Sequence, residues 1–281
     1  MLRRLFTRAL TTLNSPTADL YFANACADWL EDGRAIRYAP TVFASETTRL
    51  VIRHDGRAGP ASKRPRTVYL IDDAVDLDGA DDALSPFWRF KLERVERAAA
   101  GALLPAAAAA VVSSPALAEM IRARSPETPV HVIDPYWSEP LSALKHHRED
   151  GPLRVAYLGS EPHRPDIEPL APTLAAFLDE TEGAELILAG GHEALAPFSA
   201  HPRVRALGPL PWVEYRRRLL TLRPHVALYP LRETPFNAAR SLNKLIEHGV
   251  AGAAGLYAAC WPGAALAEEA GAGMALPDDP R

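Results

Sequence analysis

Along the second half of the chain, short apolar runs alternate with turns and then with amphipathic stretches. LRVAYLG, from Leu153, leads through the loop SEPHRPD into the helical pattern EPLAPTLAAFLDE. AELILAGG precedes a short helix near Ala194, RVRALG precedes WVEYRRRLLTL, and VALYPL (Val226 to Leu231) precedes ARSLNKLIEHG. AAGLYA and a helical segment around Ala264 to Ala270 follow, and GMALP closes the series. Short apolar runs bounded by turn residues read as buried strands. Strands and helices in strict turn predict a parallel, doubly wound sheet with right-handed crossovers.

The first half alternates less cleanly. ADLYFANA (Ala18 to Ala25) and RLVIRH (Arg49 to His54) read as strands, and TVYLIDD as a strand from Thr67 to Ile71 ending in Asp72 and Asp73. Between them RHDGRAGPASKRPR, rich in Gly, Pro and basic residues, is a loop. A helix is expected from Pro86 to Leu104 with charges on one side and aromatics on the other, its end marked by Gly101 and Pro105. AAVVSS is a strand, and Ser114 with Pro115 caps and opens the helix PALAEMIRARS. PVHVID (Pro129 to Asp134) is the last strand of this half. PYWSEPLSALKHHREDG, from Pro135 to Gly151, is polar and reads as a linker. The expected domains are therefore residues 1–145 and 146–281, and 281 residues with 48% hydrophobic content suffice for two cores. No internal repeat of fixed period is present.

Charge and composition narrow the function. A net charge of −4 gives no global basic field and excludes general nucleic-acid binding. Cys26 and Cys260 are far apart and read as buried reduced thiols of a cytoplasmic protein. The nine histidines show no metal-ligand spacing, and no metal site is expected. No run approaches the roughly 20 apolar residues of a membrane span. The N-terminal MLRRLFTRALTTL is amphipathic, with Arg3, Arg4 and Arg8 among leucines. It reads either as a first helix or as a basic interfacial helix at the inner face of the cell membrane. Arg57, Lys63, Arg64 and Arg66 form a solvated basic loop or an acceptor- or membrane-contacting one.

The most informative chemistry lies in PFNAARSLNKLIEHG, Pro235 to Gly249. After the strand VALYPL, a turn and an asparagine, a helix is expected to open at Arg240 or Ser241. Free N–H groups and the positive end of a helix dipole meet at such a joint, which suits a phosphate. Arg240, Lys244 and Glu247 recur at spacings of four and three, which puts the two cations on one helical face with the carboxylate nearby. Two cations with the Ser241 hydroxyl suit a diphosphate, and a carboxylate one turn on suits a ribose diol. The same spacing also describes an ordinary charged surface face. Asp72 and Asp73 stand at the carboxyl end of a strand, where open α/β sheets bind ligands. They suit a metal, proton transfer or sugar hydroxyls, and equally a cap for the acidic segment that follows (Asp76, Asp78, Asp81, Asp82).

Residues 66 to 281 resemble GT-B glycosyltransferases, and more closely the bacterial group related to glycosyltransferase family 4. The pattern FN-x-x-[KR]-S-x-x-K-x-x-E stands as Phe236, Asn237, Arg240, Ser241, Lys244 and Glu247. The loop YLGSEPHRPD supplies Tyr157, Gly159, Ser160, His163 and Asp166, in the form YxGSP-x-H-x-x-D. Val204 to Tyr215 matches VxxxGPLPW-x-E-Y, and YLIDDAVD with VVSSPALAE matches an acceptor-domain segment. Ala239 takes the place of a glutamate found in many family 4 enzymes, as it does in the subgroup that carries FN. Against the family pattern the chain reads as a short member, truncated at both ends.

The resemblance implies two Rossmann-like domains facing a cleft, the first on the acceptor side and the second binding the donor. It implies transfer of a sugar from a nucleotide diphosphate sugar to a hydroxyl of a glycan or lipid-linked acceptor, retaining and metal-independent, with no cofactor beyond the donor. Arg240, Ser241 and Lys244 would stabilise the departing diphosphate, and Glu247 would accept from the ribose hydroxyls. Gly159 and Ser160 would admit the phosphates, with Phe236 and Asn237 also at the donor. His163, Asp72 and Asp73 would be the catalytic candidates. A lone loop histidine is also commonly structural, and Asp166 reads as the N-cap of the following helix. The competing readings are a non-catalytic GT-B-like protein binding a nucleotide sugar or a partner, and a nucleotide-sugar epimerase. A NAD-dependent dehydrogenase is disfavoured, because no GxGxxG follows a strand.

Overall fold

The computed structural model of the chain describes residues 15–54, 66–74, 86–141, 144–208 and 210–277, apart from the side chains of residues 87 and 88. The N-terminal basic stretch, loop residues Arg57, Lys63 and Arg64, and the acidic run from Asp76 to Asp82 lie outside the described residues. The chain forms two compact units. One comprises the residues up to Ser138 together with Ala239–Asn243, and the other Glu139–Ala238 together with the residues from Lys244 onward.

The first unit holds a six-stranded sheet in chain order, β1 (Ile36–Ala39), β2 (Val42–Ala44), β3 (Thr48–Ile52), β4 (Arg66–Ile71), β5 (Ala109–Val112) and β6 (Val130–Val132). From β3 to β6 the pairing is parallel, as short crossover units predict. The sheet departs from the expected doubly wound parallel form at one edge, where β1, β2 and β3 pair antiparallel. β1 alternates exposed and half-buried residues, so it lacks the continuous apolar run that marks a buried strand.

Ala18 to Ala25 is a second departure. It is helical, with Pro16–Ala18 opening at a proline in the first turn and a π-helical turn over Asp19–Ala23. Its apolar run is as compatible with a buried helix as with a strand, and the proline at the start decides in favour of the helix. The expected helix after Pro86 is present as Pro86–Lys91, Leu92–Arg97 and Ala98–Leu103, the middle portion π-helical. Its faces are not divided as expected: Phe90 is 61% exposed, while Glu96 is buried. Ser114 caps the helix Pro115–Arg124 by accepting from the Leu117 N–H at 3.2 Å.

The second unit holds six strands that all pair in parallel: β7 (Leu153–Tyr157), β8 (Ala184–Ala189), β9 (Val204–Leu207), β10 (Val226–Tyr229), β11 (Ala254–Ala258) and β12 (Gly273–Leu276). Every strand lies where the apolar runs place it. The order is β12-β11-β10-β7-β8-β9, the doubly wound arrangement, which reverses direction between β7 and β10. Val155, Tyr157, Ile167, Leu178, Leu186, Leu188 and Phe198 build its core.

The expected linker is anchored rather than loose from Glu139 on. A 3₁₀ turn over Leu144–His147 carries a buried His146, whose Nε2–H donates to the Pro224 carbonyl at 3.0 Å, and His147 donates to the Gly252 carbonyl at 2.7 Å. Among the described residues no helix is long and apolar enough to cross a membrane.

Candidate functional site

In open α/β sheets the point where strand order reverses leaves a crevice at the carboxyl ends of the two central strands, and ligands bind there. In the second unit those strands are β7 and β10. The loop after β7 carries Leu158, Gly159, Ser160 and His163, and the segment after β10 carries Asn237 and leads to Lys244 and Glu247. Both motifs singled out in the sequence therefore sit at one topological position.

Tyr157 shapes the first loop. A Cβ on Gly159 would lie 2.6 Å from the Tyr157 ring, so this ring packs where any other residue would place its side chain. The Tyr157 hydroxyl donates to the His163 carbonyl at 2.9 Å. Gly190, after β8 and in the left-handed region at φ +80°, leaves room for the Gly159 carbonyl, which a Cβ there would approach to 2.3 Å. His192 Nε2 lies 3.2 Å from the Ser160 carbonyl, and burial holds its imidazole below the ordinary histidine range. Gly159 is buried and Ser160 exposed.

His163 is buried, with Nδ1 3.1 Å from Asp166 Oδ2. The other oxygen of Asp166 accepts from the Arg232 backbone N–H at 3.2 Å and from Asn237 Nδ2 at 3.4 Å. Asn237 Nδ2 also reaches the Arg232 carbonyl at 2.9 Å, and its N–H donates to Thr234 Oγ1 at 3.1 Å. Asp166 therefore joins the loop after β7 to the segment after β10. It lies inside the short helix Arg164–Ile167, whose N-cap position is His163, contrary to the expectation from sequence. Phe236 is half-buried in the turn Pro235–Ala238.

Lys244 and Glu247 lie on the helix Asn243–Ala251. Lys244 Nζ donates to the Leu158 carbonyl and to Glu247 Oε2, both at 2.6 Å, and the Tyr215 hydroxyl donates to the same Oε2 at 2.7 Å. Tyr215 comes from the helix Trp212–Leu222. Burial and the Glu247 charge push its phenol well above the ordinary range, so it stays protonated and donating.

The helix opens later than expected, at Asn243. Arg240 and Ser241 fall in a break between the helices Pro235–Ala238 and Asn243–Ala251, and the stretch Ala239–Asn243 groups with the first unit. Arg240 therefore shares no helical face with Lys244. Tertiary bonds account for the break: the Ala239 carbonyl accepts from Ser114 Oγ at 2.8 Å, and Arg240 reaches Asp73 Oδ1 at 3.4 Å. Ser241 is buried.

Asp72 and Asp73 belong to a charged cluster of the first unit centred on Arg53. Arg53 Nη1 is 3.5 Å from Asp72 Oδ1, Nη2 is 3.1 Å from Asp73 Oδ2, and the guanidinium also pairs closely with Glu96. Lys91 Nζ stands 3.2 Å from Glu96, and Thr17 Oγ1 donates to Asp72 Oδ2 at 2.6 Å. Burial raises Asp72 above the ordinary aspartate range against the pull of Arg53, and the Asp73 charge pushes the same way. Burial acts on Glu96 as well, but Arg53 and Lys91 outweigh it and hold the carboxyl down at about 2. Arg53 was not among the sequence candidates. It follows β3 at φ +60°, a left-handed conformation uncommon for arginine, and no sequence signal announces that.

Cys26 and Cys260 form no disulfide and are only partly buried, not buried as expected, with burial raising the Cys26 thiol. Among the described residues no group of three or more His, Cys, Asp and Glu side chains is arranged to hold a metal ion.

No protein-family model and no curated protein matches the sequence. Among solved structures the chain is similar to a variant of S. aureus TarM in complex with fondaparinux, α-GlcNAc-glycerol and UDP, at 10% identity and a TM-score of 0.38, over 59% of this chain and 32% of that one. It is also similar to S. aureus MnaA with UDP, at 9% identity and a TM-score of 0.41, over 76% of this chain and 57% of that one. The chain thus spans less than two thirds of the length of either.

Proposed function

We propose that this protein is a GT-B-like glycosyltransferase that moves a sugar from a nucleotide diphosphate sugar to a hydroxyl of a glycan or lipid-linked acceptor. The observation that carries the reading is the meeting of Lys244, Glu247 and the Leu158 carbonyl where the second sheet reverses. An ammonium and a carboxylate beside a helix N-terminus at such a point match the phosphate and ribose ends of a nucleoside diphosphate.

In this reading the developing charge of the departing diphosphate is met by Lys244 and by the first N–H groups of the helix Asn243–Ala251. Lys244 has three N–H donors and gives two to protein acceptors, which leaves one for a phosphate oxygen. Glu247 receives the ribose hydroxyls. Asp166 fixes the His163 ring, which serves the sugar or its phosphate as a preset polar group. Asp72 and Asp73 serve the acceptor hydroxyl, and Arg240, paired with Asp73, belongs with them. Retention of configuration, independence from metal and a cytoplasmic location complete the proposal.

A thermal-shift screen of the full chain with UDP-, GDP-, ADP- and CMP-sugars tests it, since a ligand that binds the native state raises the melting point by mass action. The expected outcome is a shift with one base, followed by slow donor hydrolysis or transfer to an extracted lipid or glycan acceptor. Binding of UDP or GDP with neither reaction would replace the transferase reading by that of a nucleotide-sugar-binding protein.

A further inference from the structure

Glu247 is held by more than its own helix. Oε2 takes two short hydrogen bonds, from Lys244 Nζ at 2.6 Å and from the Tyr215 hydroxyl at 2.7 Å. A carboxylate oxygen has two lone pairs, so both sites on Oε2 are filled. The two donors come from different helices, Asn243–Ala251 and Trp212–Leu222, and together they fix the plane of the carboxylate. What remains for a ligand is Oε1, with two lone pairs set in a known direction. That is the complement of a vicinal diol, whose two hydroxyls can both donate to a single oxygen. Tyr215 is itself braced: it follows the buried Trp212, their rings 5.9 Å apart, and the next residue, Arg216, lies over the Trp212 ring and pairs with Glu139 at 2.5 Å.

We infer that Tyr215 is the positioning residue that makes this site selective for a ribose over a 2′-deoxyribose, by occupying Glu247 Oε2 and presenting Oε1 to both ribose hydroxyls. The inference rests on the nucleoside diphosphate reading of the site. Tyr215 does not touch the ligand in this arrangement. A phenylalanine in its place would leave the carboxylate held by Lys244 alone, a single contact that either oxygen can make as the group turns about its last torsion, so that Oε1 is no longer reserved for the diol.

The experiment measures dissociation constants of the full chain for UDP, GDP, ADP and CDP and for their 2′-deoxy counterparts, in the wild type, Tyr215→Phe and Glu247→Gln, with the melting point of each protein recorded alone. The wild type is expected to prefer the ribonucleotide of its chosen base by roughly tenfold, the worth of one good hydrogen bond. Tyr215→Phe should bind the 2′-deoxynucleotide as the wild type does while losing most of that preference. Glu247→Gln, which keeps the side-chain size, should lose it as well. A purely structural role for Tyr215 would lower both affinities together and leave their ratio intact, and that result overturns the inference alone. No binding of any nucleoside diphosphate by a folded wild type overturns the nucleotide reading and the inference with it. Should Tyr215→Phe not fold, the Glu247→Gln ratio decides: an unchanged preference there removes the carboxylate from ribose recognition, and Tyr215 with it.

Discussion

His163 Nδ1 stands 3.1 Å from Asp166 Oδ2, and Asp166 in turn accepts from the Arg232 N–H and from Asn237 Nδ2 through its other oxygen. One buried carboxylate thus sets the ring of the loop after β7 and the backbone of the segment after β10. Removing such a hub leaves buried donors without acceptors, which costs far more than the net worth of any one bond. Asp166→Ala is expected to destabilise the fold by about 3 kcal/mol, and Asp166→Asn, which keeps an acceptor for Arg232, by about half as much. Urea unfolding of the three proteins checks this. An Asp166→Ala protein as stable as the wild type would mean that the carboxylate does not tie these loops together.

Lys244 offers a test in which binding and stability separate. Its ammonium serves a protein carbonyl, a carboxylate and, as proposed, a phosphate. Lys244→Met keeps the stem and removes the donors. The expected loss of nucleoside diphosphate affinity is about 1.5–3 kcal/mol, the range of charge-assisted hydrogen bonds. The expected loss of folding stability is only about 1 kcal/mol, because Tyr215 still donates to Glu247. Calorimetric titration and thermal unfolding give the two numbers, and an unaltered affinity would take Lys244 out of the diphosphate site.

Much of the second unit was legible in the chain because local pattern and final packing agree there. Each apolar run of that half became a parallel strand, and the two loops with unusual chemistry fell at the strand reversal. The first unit was less legible, for identifiable reasons. β1 is half-exposed and too short to announce itself, and Ala18 to Ala25 carries an apolar run that a helix buries as well as a strand. Around Arg240 the three- and four-residue spacing pointed to one continuous helix. Ser114 and Asp73 interrupt it with bonds from residues far away in sequence, which no spacing rule sees. Arg53 was invisible for the same reason: its role comes from three carboxylates supplied by two other segments.

That cluster makes its own prediction. Arg53 neutralises Asp72, Asp73 and Glu96 in a largely buried setting, and its backbone pays for the position with a left-handed φ. Arg53→Ala would leave buried carboxylates without their main cation, at an expected cost of about 3–5 kcal/mol near pH 7. The penalty should shrink as pH falls. Without Arg53 the folded carboxyl groups bind protons more readily than in the wild type, while the unfolded chains are alike, so acid favours the variant in relative terms. Chemical unfolding of both proteins at pH 7 and pH 5 measures the difference. A penalty equal at the two pH values would show that packing or backbone conformation, and not charge, is what Arg53 supplies.

Acid should weaken the second unit first through His248. Its ring is buried, stacks on Tyr257 with centroids 5.4 Å apart, and has Nδ1 3.1 Å from the Tyr257 hydroxyl. Nε2 is buried without a hydrogen-bond partner, so a proton placed there would gain a charge and no acceptor. Burial, helped by the Lys244 charge, brings this histidine from 6.5 down to about 3. Between those two values the unfolded chain holds a proton that the native state does not, so stability falls as pH is lowered through that window. The full loss from this one group approaches about 5 kcal/mol at the bottom of the window. Burial depresses His192 and His225 in the same direction, and below about pH 4.5 the low carboxyl of Glu96 adds a further acid-side loss. His248→Gln removes only the first contribution. Its unfolding free energy should therefore vary less steeply than that of the wild type from pH 6.5 down to about 3, while the further loss below 4.5 from Glu96 is common to both proteins. Parallel slopes over the upper range would mean that His248 already accepts a proton in the folded protein.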